Sequence, residues 1–284
     1  MKKFLAGVLS TALLLGALTG CGSSPAPSGS GTPSGSNPGG SSTTPAPSTG
    51  DKVIKIGVFE PASGDSASGG KKEMLGMQYA NSVTPTVDIG GETYTVQLVP
   101  ADNGSSTDKA PSAAAQLVSQ NVAIVLGSYG SGVSMAASDN FKDAGIAAND
   151  HYFRICFLDN FQAQVLANFA MDKFQAKTAY CLGETGNEYD QGLITFFEQV
   201  FTANGGKVIK DSFPTNNSDF NSYLNKAKAE GADVIFTPVS IAYAVQIITQ
   251  AQSLGITAPF LGSDTLDDNM VLEAANGTDI QLYV

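Results

Sequence analysis

Residues 178–213 read TAYCLGETGNEYDQGLITFFEQVFTANGGKVIKDSF, and their pattern decides the fold class. The segments at 178–182 and 207–213 predict strands, and residues 189–203 between them place apolar side chains on one face of a helix. Strand-like and helix-like segments keep alternating to the end of the chain, at 219–230, 233–237, 242–254, 259–261, 266–274 and 280–284. This alternation predicts a parallel sheet with helices on both faces.

The part of the chain before this stretch alternates in the same way. Strands are predicted at 53–59, 86–89, 93–99, 122–126 and 152–158, and helices at 71–81, 107–120, 134–143 and 161–174. Gly90-Gly91 between two of these strands predicts a hairpin. We therefore expect an α/β chain with two sheets, in which residues 51–157 form a first lobe and residues 158–284 form a second lobe.

The charge of the chain argues against nucleic acid as a partner. Its 284 residues include 15 Lys+Arg and 26 Asp+Glu, a net charge of −11. Lys2 and Lys3 are the only charged residues before Asp51, so residues 51–284 hold 13 basic and 26 acidic side chains. Arg154 is the single arginine, and this acidic surface would repel phosphate groups.

The first 21 residues are typical of an export signal. Lys2 and Lys3 precede an apolar run at 4–18, shorter than the roughly 20 residues of a membrane-spanning helix. The run ends in LTGC at 18–21, which resembles the bacterial lipobox and implies a lipid on Cys21; a plain secretory signal is the alternative. Residues 22–50 contain only Gly, Ala, Ser, Thr, Pro and Asn, which predicts a flexible tether.

Side chains suited to catalysis or metal binding are scarce. His151 is the single histidine, so a cluster of histidines and cysteines around a metal is excluded, and a Ser-His-Asp triad would depend on that one residue. Cys156 and Cys181 fall in predicted strands, which favours buried free thiols, although an exported location would permit a disulfide. We expect a binding protein without a cofactor or metal rather than an enzyme.

Ligands of doubly wound sheets bind at the carboxyl ends of the strands, and three features there are suited to a small polar ligand. The loop GSYGSG at 127–132 follows a strand and precedes a helix, so it forms either an anion site or a tight turn of small residues. Asp264 is suited either to pair with a ligand ammonium group or to cap a helix. Tyr189 either packs on a ligand or covers the start of its helix.

Seven segments point to a known family by their order and spacing. They are IKIGVFEP at 54–61, AASD at 136–139, FKDAGI at 141–146, YFRI at 152–155, DFN at 219–221, QAQSLGI at 250–256 and FLGS at 260–263. From about residue 53 to its end, the chain resembles the branched-chain amino acid binding proteins of ABC importers. The resemblance implies the type I periplasmic-binding-protein fold, in which two Rossmann-like lobes, joined by three crossovers, close on a ligand.

The resemblance also implies a set of ligand-binding residues and partners. The ligand would be a small amino acid, and the partners would be ABC permease subunits. The protein would be a monomer outside the cytoplasm, held at the membrane by the lipid on Cys21. The implied residues are Ser131, with Ser128, Tyr129 and Gly130, for the ligand carboxylate, Asp264 for its ammonium group, Tyr189 for closure, and Ala67 and Ser68 for the side-chain end.

Two departures from the family pattern make the first lobe look incomplete. Family members continue past the position of Ile146 with a strand and a Thr/Ser-Asn-Pro turn, whereas residues 145–150 here lead directly to His151. Members also continue beyond the position of Val284 with a segment that completes the first lobe. The alternative function is therefore a surface-anchored sensor or interaction module of the same fold, or a fragment that binds no ligand.

The lipobox predicts the mature N-terminus of the protein. Mass spectrometry of the protein made in a bacterial host should find lipid-modified Cys21 as the first residue. Cys21→Ser should remove the lipid mass, because the lipid is attached through the thiol. An unmodified mature terminus at another position would contradict the prediction.

Overall fold

The computed structural model describes residues 52–146 and 153–284. In these ranges the chain forms nine strands and eight α-helices, arranged around two sheets. The α/β fold class with mainly parallel sheets is therefore confirmed. The predictions for residues 1–21, Cys21, the tether at 22–50 and His151 lie outside the described residues. None of the helices in the described ranges has the length and apolar character that would let it cross a membrane.

The first sheet has four strands in the order β2-β3-β1-β4. Strand β1 pairs in parallel with β3 and β4, and β2 pairs antiparallel with β3 in the predicted hairpin. Gly90 and Gly91 form the turn with positive φ angles of 61° and 82°. The elements are β1 (Val53–Glu60), α1 (Ala67–Val83), β2 (Thr86–Ile89), β3 (Glu92–Asp102), α2 (Ala110–Ser119), β4 (Ile124–Leu126) and α3 (Ser131–Asp143).

The second sheet has five strands, all parallel, in the order β6-β5-β7-β8-β9. A short 3₁₀ helix, Asp264–Leu266, follows β8. The elements are α4 (Asp159–Phe174), β5 (Thr178–Glu184), α5 (Glu188–Ala203), β6 (Lys207–Phe213), α6 (Asn221–Ala229), β7 (Val234–Phe236), α7 (Ile241–Ser253), β8 (Phe260–Leu261), α8 (Asn269–Ala275) and β9 (Leu282–Tyr283).

Strand β5 shows why the stretch at 178–213 specifies a parallel sheet. Its residues alternate between two hydrophobic cores: Tyr180 and Leu182 face one, and Ala179 and Cys181 face the other. All four are fully buried. A strand that is apolar on both faces needs helices on both sides, which the amphipathic helices supply.

One predicted strand is wrong. Residues 153–158 of the predicted strand at 152–158 form no strand in the structure. Phe153 is 82% exposed, and Cys156, which we expected to be buried, is an exposed free thiol. An apolar run becomes a strand only where a neighbouring strand offers it hydrogen bonds, and neither sheet includes this segment. Cys181 is a buried free thiol, as predicted.

Helix α1 begins four residues before its predicted start because of close packing at two glycines. A Cβ atom on Gly69 would lie 2.4 Å from the Tyr129 ring, and one on Gly70 would lie 2.4 Å from the Pro61 carbonyl oxygen. Glycine disfavours a helix by roughly 1 kcal/mol relative to alanine, so propensity predicts a later start. Tertiary packing therefore sets the N-terminus of this helix.

The aromatic core beside the second sheet predicts a large difference between two adjacent phenylalanines of α5. Phe197 is fully buried and stacks on Phe236 at a centroid distance of 4.4 Å, whereas Phe196 is 36% exposed. Phe197→Ala should lower the free energy of unfolding by about 3–5 kcal/mol, because it leaves a cavity. Phe196→Ala should cost about 1 kcal/mol or less. Urea denaturation followed by circular dichroism measures both, and equal losses would contradict this packing.

Candidate functional site

Helix α3 begins at the loop that the sequence predicts for a carboxylate. Its N-cap residue is Gly130, which has no side chain to accept a hydrogen bond from the first turn. The loop is held by its own hydroxyl groups: Ser128 Oγ accepts from the Gly130 N–H at 3.2 Å, and Ser134 Oγ accepts from the Ser128 N–H at 3.3 Å. The N–H groups at the start of α3, from Ser131 onward, therefore suit an anion.

Tyr129 connects this loop to α1. Its N–H donates to Glu60 Oε2 at 2.9 Å, and its ring packs against Gly69. Burial raises the pKa of the Tyr129 hydroxyl group above its ordinary value, and the nearby carboxylates of Asp264 and Glu73 raise it further. The tyrosine therefore stays neutral, and its hydroxyl group lies within electrostatic reach of Asp264, which follows β8 of the second sheet.

Asp264 is oriented by two donors that leave one of its oxygens available. Both the Tyr189 hydroxyl group and Gln162 Nε2, the latter at 3.2 Å, donate to Oδ1. No described residue donates to Oδ2, so this oxygen can accept from a ligand ammonium group. Asp264 is the first residue of the 3₁₀ helix and Ser263 occupies its N-cap position, so the alternative role of Asp264 as a cap is wrong.

Tyr189 is placed by the first turn of α5. The Asn187 side chain caps this helix, accepting from the N–H groups of Tyr189 at 3.1 Å and Asp190 at 3.3 Å. Burial and the Asp264 carboxylate raise the pKa of the Tyr189 hydroxyl group, which keeps it a hydrogen-bond donor. Its observed contact is with Asp264, so Tyr189 orients that carboxylate besides being available to close over a ligand.

Ala67 and Ser68 form the first turn of α1, where Ser68 meets the second sheet's residues directly. Ser68 Oγ donates to Asp268 Oδ2 at 3.0 Å, and Lys72 Nζ lies 2.7 Å from the same oxygen. Asp268 also caps α8 by accepting from the Met270 N–H at 2.8 Å. Burial opposes ionisation of Asp268, but these three donors outweigh it and lower the pKa of the carboxyl group.

Two further acidic residues, Asp65 and Glu184, lie near each other beside α7. Burial and the charge of Glu184 raise the pKa of Asp65, which precedes α1. Glu184 ends β5 and accepts from the Tyr243 hydroxyl group at 3.2 Å and from Asn187 Nδ2 at 3.2 Å. The carboxyl ends of both sheets are therefore rich in carboxylates.

All eight predicted ligand residues thus lie at the carboxyl ends of strands or in the helix starts beside them. The starts of α3 and α5 are close: a Cβ atom on Gly132 would lie 3.7 Å from Glu188 Cγ. Sequence reasoning missed the parts played by Glu60, Gln162 and Asp268. Glu60 directly follows the predicted strand at 53–59 without a ligand role, a helix start explained Asp268, and nothing in the sequence indicates Gln162.

A separate groove lies between α8 and β9. Its volume is about 470 Å³, and its lining includes Leu272, Glu273, Asn276 and Ile280. Most of these side chains are exposed, and none is a predicted ligand residue. The candidate site is therefore identified by its hydrogen-bonding groups and not by this groove.

The two mainly parallel sheets, with polar groups collected at the strand ends, define an α/β fold of the kind that binds ligands at the carboxyl ends of its strands. Residues 53–284 match the family described as periplasmic binding protein. The match spans most of the chain, so the protein belongs to this family.

Several proteins that the chain resembles are named as amino acid binding proteins. The amino acid binding protein of Pseudomonas aeruginosa is 27% identical over 241 residues, which cover 79% of this chain and 64% of that protein. The chain thus spans about two thirds of this relative's length. The leucine binding protein LivK of Thermotoga maritima superposes with a TM-score of 0.74 at 28% identity, covering 79% of this chain and 67% of that one. LivJ of Streptococcus pneumoniae, in complex with isoleucine, gives 0.72 at 27% identity, covering 81% and 70%.

The contacts of Asp268 predict unequal effects for three substitutions. Asp268→Ala should lower the free energy of unfolding by about 2–3 kcal/mol, because it removes a helix cap and a buried acceptor. Lys72→Met should cost about 1 kcal/mol or less, because Lys72 is half exposed. Asp267→Ala, at the exposed neighbouring position, is the control and should have little effect.

The Asp268→Ala loss should also depend on pH. Because the pKa of Asp268 is lowered in the folded protein, the stabilisation is complete above the ordinary carboxyl range and disappears as the pH falls through the folded value. Urea denaturation at pH 7 and at pH 3 checks this. If Asp268→Ala loses no more stability than Asp267→Ala at pH 7, the role of Asp268 as a buried acceptor and helix cap is contradicted.

Proposed function

We propose that this protein is a membrane-anchored, extracytoplasmic solute-binding protein that captures a small amino acid of the branched-chain type for an ABC importer. The observation that carries the proposal is the pairing of two complementary groups. The uncapped start of α3 suits a carboxylate, and Asp264, oriented by Tyr189, suits an ammonium group. The names of relatives that bind leucine or isoleucine support this ligand class.

In the proposed complex the amino acid is bound at both of its charged ends. Its carboxylate accepts hydrogen bonds from the N–H groups at the start of α3 and from the Ser131 hydroxyl group, favoured by the helix dipole. Its ammonium group donates to Asp264 Oδ2. Its side chain lies toward the first turn of α1, at Ala67 and Ser68. Binding involves no covalent step, so the protein acts as a carrier and not as an enzyme.

The signal to a permease would be closure of two lobes, formed by residues 51–157 and 158–284. A ligand that touches α3 of the first lobe and Asp264 of the second binds the closed form better than the open form. Ser68 and Lys72 would add to closure through Asp268. The closed monomer would be the form that docks on the permease subunits.

Residues 1–50 would serve export and attachment. In this proposal residues 1–21 direct export, the lipid on Cys21 holds the protein at the outer face of the cytoplasmic membrane, and residues 22–50 form the tether. The family description, a periplasmic binding protein, supports the extracytoplasmic location. A long polar tether would let a binding domain turn above the membrane.

Isothermal titration calorimetry with L-leucine, L-isoleucine and L-valine tests the binding site. Asp264→Ala should raise the Kd about 30-fold or more, because the ammonium group loses its charged acceptor. Ser131→Ala should raise it about fivefold through loss of one hydrogen bond.

The matched controls make the same type of substitution at positions outside the site. Asp267→Ala and Ser138→Ala, the latter on the exposed part of α3 where Ser138 Oγ donates to the Met135 carbonyl oxygen, should leave the Kd unchanged. If a folded wild-type chain binds none of the three amino acids, the proposed ligand class is wrong. Equal losses in the site variants and in the controls would refute the site.

A further inference from the structure

A buried carboxyl group without a counter-charge supports the loop at 127–131, which is the candidate site for a ligand carboxylate. Glu60 is the last residue of β1 and is fully buried. Its Oε2 accepts from the Tyr129 N–H at 2.9 Å, whereas no described donor reaches Oε1, and a protonated Glu60 can share a hydrogen bond with Glu73. A buried oxygen that no donor reaches is costly, so the protonation state of the Glu60 carboxyl group needs an explanation.

The carboxyl group lies directly beneath the loop backbone. A Cβ atom on Gly127 would sit 2.5 Å from Glu60 Oε1, and Gly127 has a φ of 112°, in the region that favours glycine. The neighbouring Tyr129 is held from its other side by Gly69 of α1. Glu60 therefore contacts the loop at two residues, Gly127 and Tyr129, and holds it in place between β1 and the start of α3.

The surroundings of Glu60 disfavour a negative charge. Glu73 on α1 is the ionisable group that faces it, and none of the ion pairs of the described residues includes Glu60. Asp102 on the adjacent strand β3 turns its carboxylate to the N–H groups of Ala62 and Gly104. Burial and Glu73 raise the pKa of Glu60 to about 9, although the Tyr129 N–H opposes the shift. At neutral pH the group is protonated.

We propose that Glu60 is a positioning residue for ligand binding: as a neutral carboxylic acid it holds the Tyr129 N–H and the loop at 127–131, and its ionisation weakens binding of a carboxylate ligand. This inference rests on the proposed function, because it takes the start of α3 as the carboxylate site. An ionised Glu60 would put a second negative charge beneath that carboxylate in a region of low dielectric. A protonated Glu60 supports the loop without this repulsion.

Calorimetry with L-leucine at pH 7 and pH 9.5 tests the role in binding. Glu60→Ala should raise the Kd about tenfold at pH 7, because the loop loses its support, and Glu60→Gln should recover most of that loss. If only the protonated form binds, wild-type affinity falls about fourfold relative to Glu60→Gln between the two pH values. The ligand's own titration affects both proteins equally and cancels in this ratio.

Removing the facing carboxylate gives a sharper test. In Glu73→Gln the pKa of Glu60 should fall, so the alkaline loss of affinity should begin at a lower pH than in the wild type. A purely structural role of Glu60 would not move this pH profile. If Glu60→Gln binds as weakly as Glu60→Ala at pH 7, or if the wild-type to Glu60→Gln ratio does not change with pH, the inference is overturned.

A measurement without ligand separates this inference from the proposed function. Between pH 6 and about 9 the unfolded chain has lost the Glu60 proton while the folded chain retains most of it, so wild-type stability falls as the pH rises and the decline levels off above the folded pKa. The Tm of Glu60→Gln should fall less over the same range. Failure of every variant to bind leucine would refute the proposed function, whereas parallel Tm curves would refute a neutral Glu60.

Discussion

The nearly buried carboxylate of Asp268 accepts hydrogen bonds from Ser68 and Lys72 of α1 while it caps α8, and these contacts join the carboxyl ends of the two sheets. The rest of the candidate site depends on this junction. Helix α1 packs through Gly69 on the Tyr129 ring, so fixing α1 near α8 also places the Tyr129 hydroxyl group within electrostatic reach of Asp264. A carboxylate can hold this position because its acceptors are filled by one cation and two neutral donors.

The site offers a different partner to each of the two charged groups of an amino acid. The start of α3 approaches the start of α5, and the N–H groups of its first turn favour an anion near Ser131, whereas the Asp264 carboxylate lies close enough to act on the Tyr129 hydroxyl group. Carboxylates surround this region, so an additional ionised group under the loop would cancel the attraction of the helix dipole. Neutral Glu60 avoids that loss, and this is why its protonation matters for the ligand as well as for the fold.

The sequence predicted the parts of the fold that depend on local pattern. Strand β6 was predicted with its observed bounds, and α5 differs by one residue, because alternating burial and helical periodicity are both visible in nearby residues. The predicted strand at 152–158 is wrong because its apolar residues have no neighbouring strand to pair with. The start of α1 failed because Gly69 and Gly70 are placed by contacts with Tyr129 and Pro61.

The candidate site divides in the same way. The loop at 127–132 and Asp264 were chosen because strand ends and helix starts reveal such positions, whereas the roles of Tyr129 and Ser131 came from the family resemblance and stay predictions. The bond from Ser68 to Asp268 joins residues that are 200 positions apart, and the donor Gln162 lies 102 positions from Asp264. Neither pairing leaves a pattern in one sequence. Family membership supplied the ligand class as a proposal, and the three-dimensional contacts supplied the reason for the orientation of each group.

The central claim is that an amino acid binds between the start of α3 and Asp264. The most direct measurement is an amide chemical-shift titration of the ¹⁵N-labelled protein with L-leucine. The largest shifts should fall on the N–H groups of residues 128–132 and 263–265, with smaller shifts at the start of α1. Shifts confined to other regions, such as the groove between α8 and β9, would contradict this claim.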